Sequence, residues 1–248
     1  MGKLNIKEAF SKMSKFQLIA TILLLAAVAL FVLQFFVSYL IDIIWNNYFR
    51  TMFASFYNFC NLCIGFIIRV VDIAIVAGLA LSMLVGSKKN FAVLLIIKAA
   101  VALLNVMVLT PGLVFLFNLV YPNGRIGYGD LFFNYFIQIA LAAAYCLLAV
   151  LLLGGFKKLV KILGFAAAGA IALISIRYIV IFFTATAALP GYFAERKVSG
   201  ILKTFFADWP NSIASVAVAA ALVLIALGFT FAVIRKSAKK DAAQKSAE

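Results

Sequence analysis

Residues 66–110 read FIIRVVDIAIVAGLALSMLVG, then SKKN, then FAVLLIIKAAVALLNVMVLT: two apolar runs joined by the turn Gly86-Ser87-Lys88-Lys89. Each run approaches or reaches the roughly 20 residues that cross a hydrocarbon core of about 30 Å. Lysines between two spans mark the side that stays cytoplasmic. This hairpin therefore predicts a helical membrane protein and gives its second and third spans a direction.

The rest of the chain extends the pattern. Basic residues cluster at Lys3/Lys7/Lys12/Lys15, at Lys157/Lys158/Lys161 and at Arg235/Lys236/Lys239/Lys240/Lys245. Both tryptophans, Trp45 and Trp209, and most tyrosines fall at the opposite ends of the apolar runs, where interfacial aromatics form a headgroup belt. The spans predicted are Leu18–Leu40, Phe66–Gly86, Phe91–Thr110, Leu131–Leu153, Ile162–Thr186 and Ile213–Ile234. The fold class is all-α: one polytopic membrane domain over residues 1–248, with both termini cytoplasmic. The first span is too long, and lacks the small-residue cleavage pattern, for a removed signal peptide. Met1-Gly2-Lys3 fails as a myristoylation site because position 6 is Ile6.

Composition agrees, with 67% hydrophobic and 12% charged residues. A net charge of +14 would suit nucleic acid, but its placement argues against that. The cytoplasmic segments hold 14 basic and 3 acidic residues, or +11; the outer segments hold 5 and 4, or +1. Topology and attraction to anionic lipid at the cytoplasmic face account for the excess. The partners expected are the bilayer itself and no nucleic acid, in the cytoplasmic (inner) membrane of a prokaryote.

Two segments read as interfacial. Residues 1–16 pair Ile6, Phe10 and Met13 with lysines, and residues 193–209 alternate apolar and charged residues at helical spacing. The second is expected to lie flat as a tether or lid between the fifth and sixth spans. Residues 235–248 read as a basic cytoplasmic tail. Met52–Gly86 is too long for one upright span, so its first half reads as an outer helix feeding the second span, or as a re-entrant break. Pro111-Gly112 is expected to end or kink the third span. The shared Gly-Lys-Lys turns permit a hairpin duplication or an inverted three-plus-three repeat.

Small residues mark packing faces: Gly164, Ala166–Ala168 and Gly169 in the fifth span, Ala217, Ala219–Ala221 and Gly228 in the sixth. These spans are expected to touch each other, or to receive another protein subunit.

Ionisable residues inside spans are costly and usually face the bundle interior with a partner. Lys98 and Arg69 lie near enough to span ends to snorkel. Asp72 and Arg177 sit about 21–23 Å from the cytoplasmic ends by helix rise. Asn105, Gln138 and Gln34 fall near that depth, so these five form a candidate intramembrane polar site, with Arg177 paired to Asp72. An interhelical network that fixes packing is the competing reading. Tyr178 points about 100° away from Arg177 around the helix and is not expected as its partner.

Catalytic constellations are sparse. The chain has 0 histidines, which removes His-based general bases and most zinc sites; no metal or cofactor is expected. Cys60-Asn61-Leu62-Cys63 is a possible redox pair, although burial as small apolar residues is the commoner fate. In size and span layout the chain is similar to the substrate-binding membrane subunits of energy-coupling-factor importers, on topology alone. The function expected is a small transport or permeation component with a polar intramembrane site. The alternatives are a non-catalytic membrane subunit of a larger secretion or assembly complex, and a membrane thiol oxidoreductase using Cys60 and Cys63.

Overall fold

The computed structural model describes residues 10–11, 13–45, 48–121, 129–154 and 159–245, and all regular structure within them is helical. Lys3, Lys7, Arg125 and the Gly155-Phe156-Lys157-Lys158 turn lie outside the described residues. The helices are α1 (Lys15–Trp45), the short α2 (Tyr48–Met52), α3 (Phe56–Val85), α4 (Lys88–Leu104), α5 (Thr110–Val120), α6 (Gly129–Leu152), α7 (Val160–Ala194), α8 (Val198–Lys203) and α9 (Trp209–Lys245). Single π-helical turns, Asn105–Leu109 and Thr204–Asp208, carry α4 into α5 and α8 into α9 without a break. Six runs are long and apolar enough to cross a membrane: Lys15–Ile41, Phe56–Val85, Lys88–Val120, Tyr135–Leu152, Val160–Ala194 and Val198–Lys239.

Local chemistry sets the boundaries. The Ser55 hydroxyl accepts the Asn58 N–H at 3.1 Å and caps the start of α3. Gly86 closes it at φ 73°, a conformation free of penalty only without a Cβ. Its N–H reaches the Met83 carbonyl while that of Ser87 reaches Ser82, the paired bonds of a Schellman ending. Ser87 then caps α4 through the Asn90 N–H at 3.3 Å.

Three expectations about boundaries change. Met52–Gly86 leaves the helix only at residues 53–55, so the alternative of a re-entrant break falls away and the stretch feeding the second span is one helix with it. From Phe56 on, α3 runs unbroken for 30 residues. Helix rise makes that about 45 Å, which outreaches the hydrocarbon core. Pro111 does not end the third span. Proline lacks an N–H and crowds the carbonyl four residues back, and the wider π turn before it moves the Thr110 N–H onto the Asn105 carbonyl, five residues back. The same device precedes Pro210, where the Trp209 N–H bonds the Thr204 carbonyl. Residues 193–209, finally, do not make a separate helix. Phe193 and Ala194 close α7, a tight turn follows, and Val198 begins a helical course that continues to Lys245. Thr204 and Ala207 are buried where this course meets α1 and α7.

That turn places Arg196 at φ 52°. The Lys197 N–H bonds back to the Tyr192 carbonyl at 2.9 Å, so a charged residue occupies the left-handed position glycine usually takes. Glu195 and Lys197 pair across the turn, and this hydrogen bond holds the exposed Lys197 amine above its ordinary value.

The six spans form a closed ring in chain order. The first contacts the second, and so on to the sixth; α9 then packs along both α7 and α1 to close it. The α7–α9 contact is the most extensive. Its close approach needs Gly164, where a Cβ would collide with the Thr230 hydroxyl. Ala167, Ala168 and Ile171 of α7 and Ala214, Leu222 and Ala226 of α9 are buried too. These buried small residues serve dispersion packing inside the ring, while Ala166 and Gly169 of the same run are exposed.

The main apolar core lies toward one end of the ring. Leu24, Leu79, Leu95, Leu148, Ile171 and Leu222, one from each span, have 0% exposure. With their neighbours they form one apolar core in the half of the ring that bears the Lys88–Lys89 end. No member of that core lies on the aromatic side of Gln34, Asp72, Asn105, Gln138, Arg177 and Asn211. Outside, Phe36, Ile162 and Leu173 are exposed at 67%, 68% and 70%, a surface suited to lipid.

Candidate functional site

Above the apolar plug lies a cavity of about 240 Å³, lined by residues of all six spans. It gathers Gln34 from α1, Arg69 and Asp72 from α3, Lys98 and Asn105 from the third span, Gln138 and Tyr145 from α6, Ser175, Arg177 and Tyr178 from α7, and Asn211 and Ser215 from α9. All five residues of the predicted polar layer line it.

Their pairing differs from the expectation. Asp72 does not pair with Arg177; its carboxylate accepts from Lys98 Nζ at 2.9 Å. The two Cα atoms differ in depth by about 4–5 Å of helix rise, and the four-carbon lysine stem covers that. Lys98 therefore reaches into the ring and does not snorkel to the basic end. The Lys98 side chain is 15% exposed and that of Asp72 45%, so the carboxylate is the member open to the cavity.

Arg69 also turns inward. Its Nη1 donates to Gln34 Oε1 at 3.3 Å and to Asn211 Oδ1 at 3.0 Å, linking α3 to α1 and α9. Asn211 and Ser215 were missed by the sequence reading. Pro210-Asn211-Ser212 looks like a polar border when the sixth span begins at Ile213, but becomes mid-helix once the helical course starts at Val198.

Arg177 folds back over its neighbour. Its Nη2 donates to Tyr178 Oη at 2.8 Å, and Cζ sits 4.6 Å from the ring centroid. A flexible stem lets the guanidinium reach a side chain that leaves the helix about 100° away. With the Gln138 amide oriented by hydrogen bonding, its oxygen accepts from Nη1 at 3.2 Å and Nη2 at 3.1 Å. Nε is buried and meets no partner among the described residues.

The wall is irregular where it meets this chemistry. Asn105 opens the π turn of the third span, and such turns recur at functional sites because they re-aim a side chain inside a helix. Cys60 and Cys63 carry free thiols on α3, away from the cavity lining, and Cys146 is also free. Among the described residues no three His, Cys, Asp or Glu side chains converge as metal ligands.

No protein-family model, curated protein or solved structure matches the chain.

Proposed function

We propose that this chain is a multi-pass protein of a prokaryotic cytoplasmic membrane and works as a small transport or permeation component. Its solute site is the polar cavity, and both termini and the Lys88 turn face the cytoplasm. One observation carries the reading: six spans close a ring whose polar side chains meet in one cavity above an apolar plug. A structural network needs no cavity, since polar groups in lipid are best satisfied by packing against each other. Gly164, Ala167 and Ala168 face inward and serve packing within the ring, while Ala166 and Gly169 of the same run stay exposed, where a subunit partner could reach them.

Cysteine accessibility tests it. In a chain with Cys60, Cys63 and Cys146 replaced by Ser, Gln138→Cys and Ser175→Cys react with a membrane-impermeant thiol reagent added to sealed cells. Ala221→Cys, inside the plug, does not. If the cavity positions stay unlabelled while Ala221→Cys reacts, the cavity is not the solute site. Labelling of Lys88→Cys from outside overturns the orientation.

A further inference from the structure

Charge separates the cavity from a generic polar pocket. Three cationic side chains, Arg69, Lys98 and Arg177, face one carboxylate, Asp72, which leaves +2 among the described lining residues. Lys98 and Asp72 neutralise each other at 2.9 Å. The hydrogen bonds of the two arginines end on neutral acceptors: Gln34 and Asn211 for Arg69, Tyr178 and Gln138 for Arg177. Arg177 Nε is buried with its donor unmet. An unpaired charge at membrane depth is costly, so its retention points to a counter-charge supplied from elsewhere.

We infer that the cavity binds a small soluble dianion through Arg69 and Arg177, its carboxylate or phosphoryl oxygens supplying the counter-charge that their neutral acceptors lack. This rests on the reading of the cavity as a solute site. The guanidinium fork matches two oxygens of a carboxylate or phosphate, a geometry an ammonium does not offer. Two charges on the ligand balance the two arginines. Size supports a metabolite: about 240 Å³ falls below the roughly 300–1,000 Å³ of pockets for drug-sized ligands. Each span contacts the next around the ring, which favours a soluble ligand over a lipid headgroup with its acyl chains.

Succinate and inorganic phosphate are the probes, added to the purified full chain in micelles at constant ionic strength. The thermal midpoint and equilibrium dialysis are followed, with choline and glucose as controls. At least one dianion raises the midpoint saturably. Arg177→Gln and Arg69→Gln each weaken its binding about ten- to a hundredfold, the range of one charged hydrogen bond. Arg177→Lys, which keeps charge but loses the fork, falls between wild type and Arg177→Gln. Neither variant strips an ion pair, and if one fails to fold the other decides. Binding that survives both changes, or a response to choline or glucose and to neither dianion, overturns the inference; the second result leaves a solute site of another class. If no probe shifts the midpoint, the dianion is wrong when Gln138→Cys labels, and the solute site falls with it when Gln138→Cys does not.

Discussion

Lys98 Nζ donates to Asp72 Oδ1 at 2.9 Å, and the two members of this pair differ in exposure, at 15% for the lysine side chain and 45% for the carboxylate. That difference makes the two single substitutions unequal. Asp72→Asn leaves a buried ammonium without its counter-ion and costs about 3 kcal/mol, near the lower end for a broken buried pair. Lys98→Met leaves a carboxylate that the cavity can solvate, and screening cuts the loss to about 1–2 kcal/mol. Unfolding of the two variants in mild detergent checks the order; a larger loss for Lys98→Met is the contrary result.

Gly164→Ala puts a methyl group into the Thr230 hydroxyl, which itself donates to the Ala226 carbonyl at 2.8 Å. Overpacking of this kind costs about 1–3 kcal/mol. Thr230→Ala in the same chain should recover most of it, and a double-mutant cycle on thermal unfolding measures the recovery. Additive losses would mean that the two residues do not meet.

Arg196→Gly should stabilise the chain by about 0.5–1 kcal/mol. It relieves a left-handed backbone worth roughly 1–2 kcal/mol and gives part of that back in unfolded-chain entropy. The φ of 52° motivates it. A fall in the unfolding midpoint would contradict the turn geometry.

Gln138→Leu should reduce stability through Arg177. It removes the amide oxygen that accepts at 3.1 and 3.2 Å and leaves buried guanidinium donors unmet, a loss of about 1–3 kcal/mol. Gln138→Glu supplies a charged acceptor instead. By the same electrostatics it should weaken any dianion binding, and the dialysis assay reads that directly.

The number and rough placement of the spans were legible because hydrocarbon thickness imposes a length that the apolar runs from Leu18 to Ile234 reveal. The ends were harder. Phe193–Trp209 carries apolar residues at a spacing that suits an interfacial helix and a packed one equally, and only contact with α1 and α7 separates them. For the candidate site, counting residues fixed depth and so brought Gln34, Asp72, Asn105, Gln138 and Arg177 to one level. Depth is one coordinate of two. The angle around the ring selects partners, and Lys98, on the adjacent span, took Asp72 from Arg177. Asn211 was hidden by a misplaced span start, and Tyr178 by treating an arginine as a rigid vector.

The plug has a mechanical consequence. Six of its fully buried side chains, Leu24, Leu79, Leu95, Leu148, Ile171 and Leu222, come one from each span, so no single helix can withdraw and open a path through that end. Every helix must move together, against dispersion contacts that number dozens for each buried leucine. The aromatic end is joined differently, by pairwise ring contacts such as Phe35–Phe66, Tyr57–Phe117 and Phe182–Trp209. If the polar cavity is the solute site proposed above, this core is its floor, and passage through that floor would demand work from outside the chain. A solute that crosses here would need a second component, or a bound-state energy large enough to unclasp all six helices at once.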